Sequence, residues 1–201
     1  MNILRTNLSL KREQKRTSLE TLEFKAKLCS LLENAPPIVS YRIKQDLAIQ
    51  TDMPFYRDRP KKIKGKRISY RDYLKQILNF FILQSDDEFT FIVGLLRRLS
   101  VNQNQIIRKL APRKSIIKKE IWEHAIPVKI IVDELIEMIR KKDISELDKL
   151  LDVYELAGQR SLTKEQDFKL KEFKTSMPKG WNWRAIDVNP LERHHIVGIY
   201  H

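Results

Sequence analysis

A single cysteine, Cys29, is present among the 201 residues. One thiol forms neither an internal disulfide nor a cysteine-rich zinc knuckle, so an intracellular, cytoplasmic protein is expected. Cys29 itself, on the segment LEFKAKLCSLL, reads as a small buried hydrophobe. Only five glycines occur, which argues against a β-sandwich or a glycine-rich nucleotide fold and favours helices. Long apolar runs are missing too: FIVGLL, residues 91–96, is far too short to span a bilayer. The opening MNILRTNLSLKREQKR lacks the apolar stretch of a signal peptide. No membrane partner is expected.

What the chain has in excess is positive charge. Thirty-nine Lys and Arg against 26 Asp and Glu leave a formal +13. Such a surface attracts polyanions, and nucleic acid is the first candidate, because phosphate neutralisation and counterion release need no motif. An anionic membrane surface or an acidic protein would use the same charge. At 42% apolar and 32% charged residues the chain is too apolar for wholesale disorder.

The pattern of apolar residues predicts a mainly α-helical protein. Residues 1–16 read as a flexible basic arm. Residues 17–118 read as a helical domain and residues 119–201 as a second helical and β region, able to form one compact unit with the helices before it. Thr17 and Glu20 form a capping box ahead of a helix with Leu19, Leu22, Leu28, Leu31 and Leu32 on one face, which Asn34-Ala-Pro-Pro ends. IVSYRIKQDLAIQ fits a strand or a short helix. ISYRDYLKQILNFFILQ and EFTFIVGLLRRL are apolar at helical spacing. Ser100 and Gln103 pair as a further capping box before VNQNQIIRKLAPR. VKIIVDELIEMIRK is amphipathic, with Ile131, Leu135, Met138 and Ile139 on one face. Asp143 and Glu146 cap a helix that carries Leu147, Leu150, Leu151 and Leu156 and stops at Gly158. Thr163 and Gln166 cap TKEQDFKLKEFK. A small β element is expected near 120–128, and the tail WNWRAIDVNPLERHHIVGIYH reads as an irregular or partly stranded closing segment. Trp122, Trp181 and Trp183 read as core or lid packing.

Two stretches carry candidate chemistry. The loop FYRDRPKKIKGKR, residues 55–67, holds Arg57, Arg59, Lys61, Lys62, Lys64, Lys66 and Arg67 against the single acid Asp58. These cations suit a phosphate backbone, with Tyr56 and Tyr70 near enough in sequence to stack on a base. The second stretch is Glu123-His124-Ala125-Ile126-Pro127. Adjacent residues point to opposite faces of a strand, so both act on one substrate only where the strand bends, and Pro127 cannot donate to a ladder and so suits such an exit. There a neutral His124 is able to take a proton from water while a carboxylate holds a divalent ion.

This pentapeptide resembles the opening motif of the HNH, or His-Me finger, nucleases. Leu162-Thr163-Lys164-Glu165, Met177-Pro178-Lys179-Gly180-Trp181, Arg193 and Gly198-Ile199 resemble the downstream half of an HNH-like group of small bacterial and phage proteins. The resemblance implies a metal-dependent endonuclease that cuts nucleic acid, DNA first, with Mg²⁺ as the expected ion. His124 would be the general base and Glu123 its helper or a metal ligand. Glu165, Asp167 and His195 would complete the metal site, and Arg193, with His194, would contact phosphate. The chain departs from the family in placing a long amphipathic helix after the histidine, where the family has a short loop, a strand and a helix bearing Asn and His. A non-catalytic basic helical protein, binding nucleic acid or regulating a defence or counter-defence system, is the alternative reading.

Overall fold

The computed structural model describes residues 22–51, 68–101, 105–114 and 121–201. Over them the protein is mainly helical with one two-stranded antiparallel sheet. Helix α1 runs through residues 22–33. It is followed by α2 (Pro37–Thr51), α3 (Tyr70–Ile82), α4 (Phe89–Arg98) and α5 (Ile106–Lys109). Strand β1 (Ile121–His124) leads into α6 (Val128–Arg140) and α7 (Leu147–Ala157), after which β2 (Gln159–Leu162), α8 (Lys164–Lys169) and α9 (Glu192–Ile196) complete the order. The arm, the Thr17–Glu20 box, Gln103 and the basic loop lie outside the described residues.

Local sequence explains most of these elements. The Ser69 hydroxyl accepts from Asp72 N at 3.1 Å while the Asp72 carboxylate accepts from Ser69 N at 3.3 Å, a capping box that starts α3. Thr163 and Gln166 do the same for α8. Leu74, Ile77, Leu78, Phe80 and Phe81 of α3 and Ile131, Leu135, Met138 and Ile139 of α6 are buried, at the spacing that faces a helix inward. One continuous apolar cluster extends from Leu28 on α1 to Trp183 in the tail, so α6 and α7 pack in the same core as the earlier helices.

Several local expectations are corrected. Residues 37–51, ambiguous in sequence, form α2, with Pro37 in the first helical position. Cys29 is exposed, as are Leu22 and Leu156, because each falls off its helix's buried stripe. Ser100 does not open α5: its hydroxyl donates to Arg97 O at 2.7 Å and finishes α4. The Asp143 carboxylate accepts from Ser145 N in the turn before α7, whose cap residue Glu146 makes no side-chain cap bond. The tail has no strand among the described residues. Instead Asn189 Oδ1 accepts from Leu191 N at 3.0 Å, and that Asx turn feeds α9.

Candidate functional site

Strands β1 and β2 pair with Glu123 opposite Arg160 and His124 opposite Gln159. The alternation of the strand sends the two motif side chains to opposite faces of this small sheet. Glu123 Oε1 accepts from Arg193 Nη2 at 2.8 Å on one side. On the other, His124 Nδ1 shares a hydrogen bond of 2.9 Å with the Tyr154 hydroxyl, and the two rings lie nearly parallel.

Arg193 is completely buried, and protein acceptors occupy its guanidinium. Nε donates to Ala125 O at 2.8 Å, Nη1 to Phe173 O at 2.7 Å, and Nη2 to Glu123 and to the His124 carbonyl. A planar fork with five donors is the only side chain able to serve so many carbonyls at once. The residue expected at a phosphate is instead the strut that ties α9 to the end of β1 and to the turn after α8. Its buried charge is met by Glu123, and charge-assisted bonds to backbone oxygens satisfy the rest.

The electrostatics around His124 follow from the same packing. Burial, with the nearby charges of Arg108 and Arg193 acting in the same direction, lowers its pKa to about 3. A base so weak is poorly matched to proton abstraction near neutral pH. Tyr154, also buried, is pushed upward and keeps its proton. His194 is lowered to about 3 by burial first and then by Arg193 and its basic neighbours, and its Nδ1 lies 2.7 Å from His201 Nε2.

The carboxylates and imidazole expected at a metal occupy four separate partnerships. Glu123 is held by Arg193. Glu165, largely exposed, pairs with Lys169 at 3.6 Å, and Asp167 with Lys174 at 3.5 Å. His195 Nδ1 bonds the Asn189 amide at 3.1 Å, and its ring stacks on Tyr200. Among the described residues no three His, Cys, Asp or Glu side chains converge as a metal-binding group, so the arrangement as it stands does not fit the implied ion. A cleft of about 250 Å³, floored by Phe81, Phe89, Ile92 and Ile139 with Arg140 and Lys142 at its rim, involves none of the expected site residues.

No family model, curated protein or solved structure matches this chain.

Arg193 interlocks with the adjacent pair Glu123 and His124, some 70 positions earlier, as a brace. The seven cations Arg57, Arg59, Lys61, Lys62, Lys64, Lys66 and Arg67 lie outside the described residues. Tyr154 and Asn189, which position His124 and His195, carried only weak signals in sequence. Tyr154 falls on the apolar stripe of α7 and reads as core, and Asn189 precedes a proline and reads as a turn. Among the described residues no helix is long and apolar enough to cross a membrane.

Proposed function

We infer that the protein is a non-catalytic, basic nucleic-acid-binding protein whose Glu123, His124 and Arg193 brace its C-terminal half. The observation that carries this reading is the divergence of Glu123 and His124 to opposite faces of β1, each consumed by an internal partner. An acid and a base so arranged cannot share a water molecule. The partner class follows from the formal +13, which favours a phosphate backbone.

A second reading, a metal-dependent HNH-like endonuclease, is favoured by one feature. The antiparallel β1–β2 pair is covered by α8, which follows β2 directly and packs on both strands, so two strands and a helix lie together in space although α6 and α7 intervene between the strands in the chain. For that reading His124 must leave Tyr154 on substrate binding and regain basicity.

Both are tested by incubating supercoiled plasmid, single-stranded DNA and RNA with the protein and Mg²⁺ or Mn²⁺, alongside salt-titrated binding. Salt-sensitive binding without cleavage is the expected result. Metal-dependent cutting that disappears in His124→Ala while binding persists would overturn it in favour of the nuclease.

A further inference from the structure

From residue 89 to residue 119 the chain runs 31 residues without an aspartate or glutamate and carries eight lysines and arginines. Elsewhere on the described surface many cations meet carboxylates. Lys129 pairs with Asp133, Arg140 with Glu137, and Arg71 and Lys75 with Asp148. Three described cations of the acid-free stretch take neutral partners, although Lys109 also lies in the field of Asp46. Lys109 Nζ donates to the Tyr70 hydroxyl at 3.3 Å and lies over its ring, and the Arg113 guanidinium sits 4.8 Å from the centre of the Trp122 ring. Arg108 Nε donates to Ser100 O at 2.6 Å. Such contacts orient a cation without neutralising it.

The fold holds part of this stretch firmly. Gln159 N donates to Pro112 O at 2.7 Å and Lys114 N to Gln159 O at 3.0 Å, and Arg113 forms a parallel bridge with Gln159. Residues 112–114 thus run along the start of β2. The approach is close: a Cβ on Gly158 would meet Pro112 O at 2.6 Å and Lys114 Cγ at 2.8 Å, and Gly158 has φ +64°. Only glycine tolerates both the contact and the angle. At the other end of the stretch, Asp46 of α2 accepts from Ile106 N at 2.8 Å and fixes the start of α5. Lys109, Arg113 and Lys114 are all exposed while Leu110 and Ala111 between them are buried. The six residues span less than about 20 Å even when extended, the reach of a few nucleotides. Cations framed by one exposed and one half-buried aromatic ring, Tyr70 and Trp122, with Pro112 the exposed aliphatic residue between Lys109 and Arg113, fit a phosphate backbone better than insertion into a bilayer.

We propose that Lys109, Arg113 and Lys114, framed by Tyr70 and Trp122, form a face that tracks the phosphates of a nucleic-acid strand without reading its bases. The proposal rests on the reading that the protein binds nucleic acid. Contacts of this kind act through counterion release, so they are read in the salt dependence of affinity.

The test is fluorescence anisotropy of a labelled oligothymidine, titrated with the full chain between about 50 and 200 mM KCl. The native protein is compared with Lys109→Gln/Arg113→Gln/Lys114→Gln and with a loop variant, Lys61→Gln/Lys62→Gln/Lys64→Gln, after thermal melts establish that all three fold alike. Removing three phosphate contacts is expected to lower the slope of log affinity against log salt by about 2 and to weaken binding about tenfold or more. If the triple variant keeps native slope and affinity while the loop variant loses both, the face is wrong and nucleic-acid binding stands. If the native protein binds no oligonucleotide, or binds only phosphatidylserine vesicles, both the face and the proposed function fall. Should the triple variant fail to fold, Lys114→Gln alone carries the test, with an expected slope change of about 0.7 and the same overturning result, an unchanged slope.

Discussion

His124 and His194 are buried imidazoles held neutral, each with a pKa lowered to about 3. Their unfolded values lie near 6.5, so below that pH the unfolded chain binds more protons than the native one. Stability is fully present above the unfolded pKa and is lost as pH falls toward the native values, by up to about 1.4 kcal/mol per pH unit for each group. Asp46 acts in the opposite sense. Burial raises it from 3.8 to about 6 against the pull of Arg42, so between those values the native state binds the extra proton and acidification favours folding. Two imidazoles outweigh one carboxylate. The lowered pKa values of Asp148, held by Lys75 and Arg71, and of Asp143 come into play only at lower pH, near and below the ordinary carboxylate range. The protein should therefore lose stability on going from about pH 7 to about pH 5, by roughly 2–3 kcal/mol. Urea titrations at the two values check this, and a midpoint that stays level would mean that the two imidazoles are not neutral in the native state.

Helix ends show how far local rules reach. α3 and α8 are opened by capping boxes within their own sequence, and such boxes are readable because donor and acceptor are three residues apart. The four-residue α5 instead takes its cap from Asp46, 60 positions earlier, and so could not be read locally. The end of α6 shows a local rule broken. Lys142 N bonds Ile139 O and Asp143 N bonds Met138 O, a Schellman motif, yet Lys142 occupies the left-handed position with φ 53°. A lysine there costs roughly 1–2 kcal/mol, against about 0.5–1 kcal/mol of extra chain entropy for glycine. The exposed Lys142–Asp86 pair at 3.0 Å adds at most a few tenths. Lys142→Gly should then stabilise the protein by about 0.5 kcal/mol, visible as a small rise in melting temperature. A fall in melting temperature would show that Lys142 contributes more through its rim position beside the Phe81–Ile139 cleft than its strain costs.

At the scale of the molecule, β1 and β2 are separated in sequence by α6 and α7, and those helices carry side chains of the same apolar cluster as α1 to α4. Helices α6 and α7 therefore share one interior with the first half of the chain, while Leu162, Leu170 and Ile199 form a small separate cluster. A single cooperative transition is expected for the whole chain, while a fragment beginning at residue 119, deprived of the α3 and α4 surfaces that cover α6, should show no cooperative melt. Circular dichroism on the isolated fragment decides this, and a sharp transition there would establish a separate C-terminal domain.

The helical class, the inward faces of α3, α4, α6 and α7, the Thr163–Gln166 capping box, the stop at Gly158 and the strand near residue 121 are legible in the sequence. These are settled by periodicity and by bonds that span three or four residues. The net positive charge is legible as well, since it is a sum that needs no geometry. The rest depends on partners that are remote along the chain. Gln159-Arg160-Ser161-Leu162 has little intrinsic strand preference and becomes β2 because β1 presents a ladder to it. Arg193 reads in sequence as a free cation, and it lies inside because backbone oxygens of Ala125, His124 and Phe173 converge on its fork. His124 reads as a general base, and Tyr154 together with burial makes it a neutral core partner. In each case the deciding partner lies 20 or more residues away. The cost of burying a charge or an imidazole is set by such partners, and side-chain type and spacing do not carry that information.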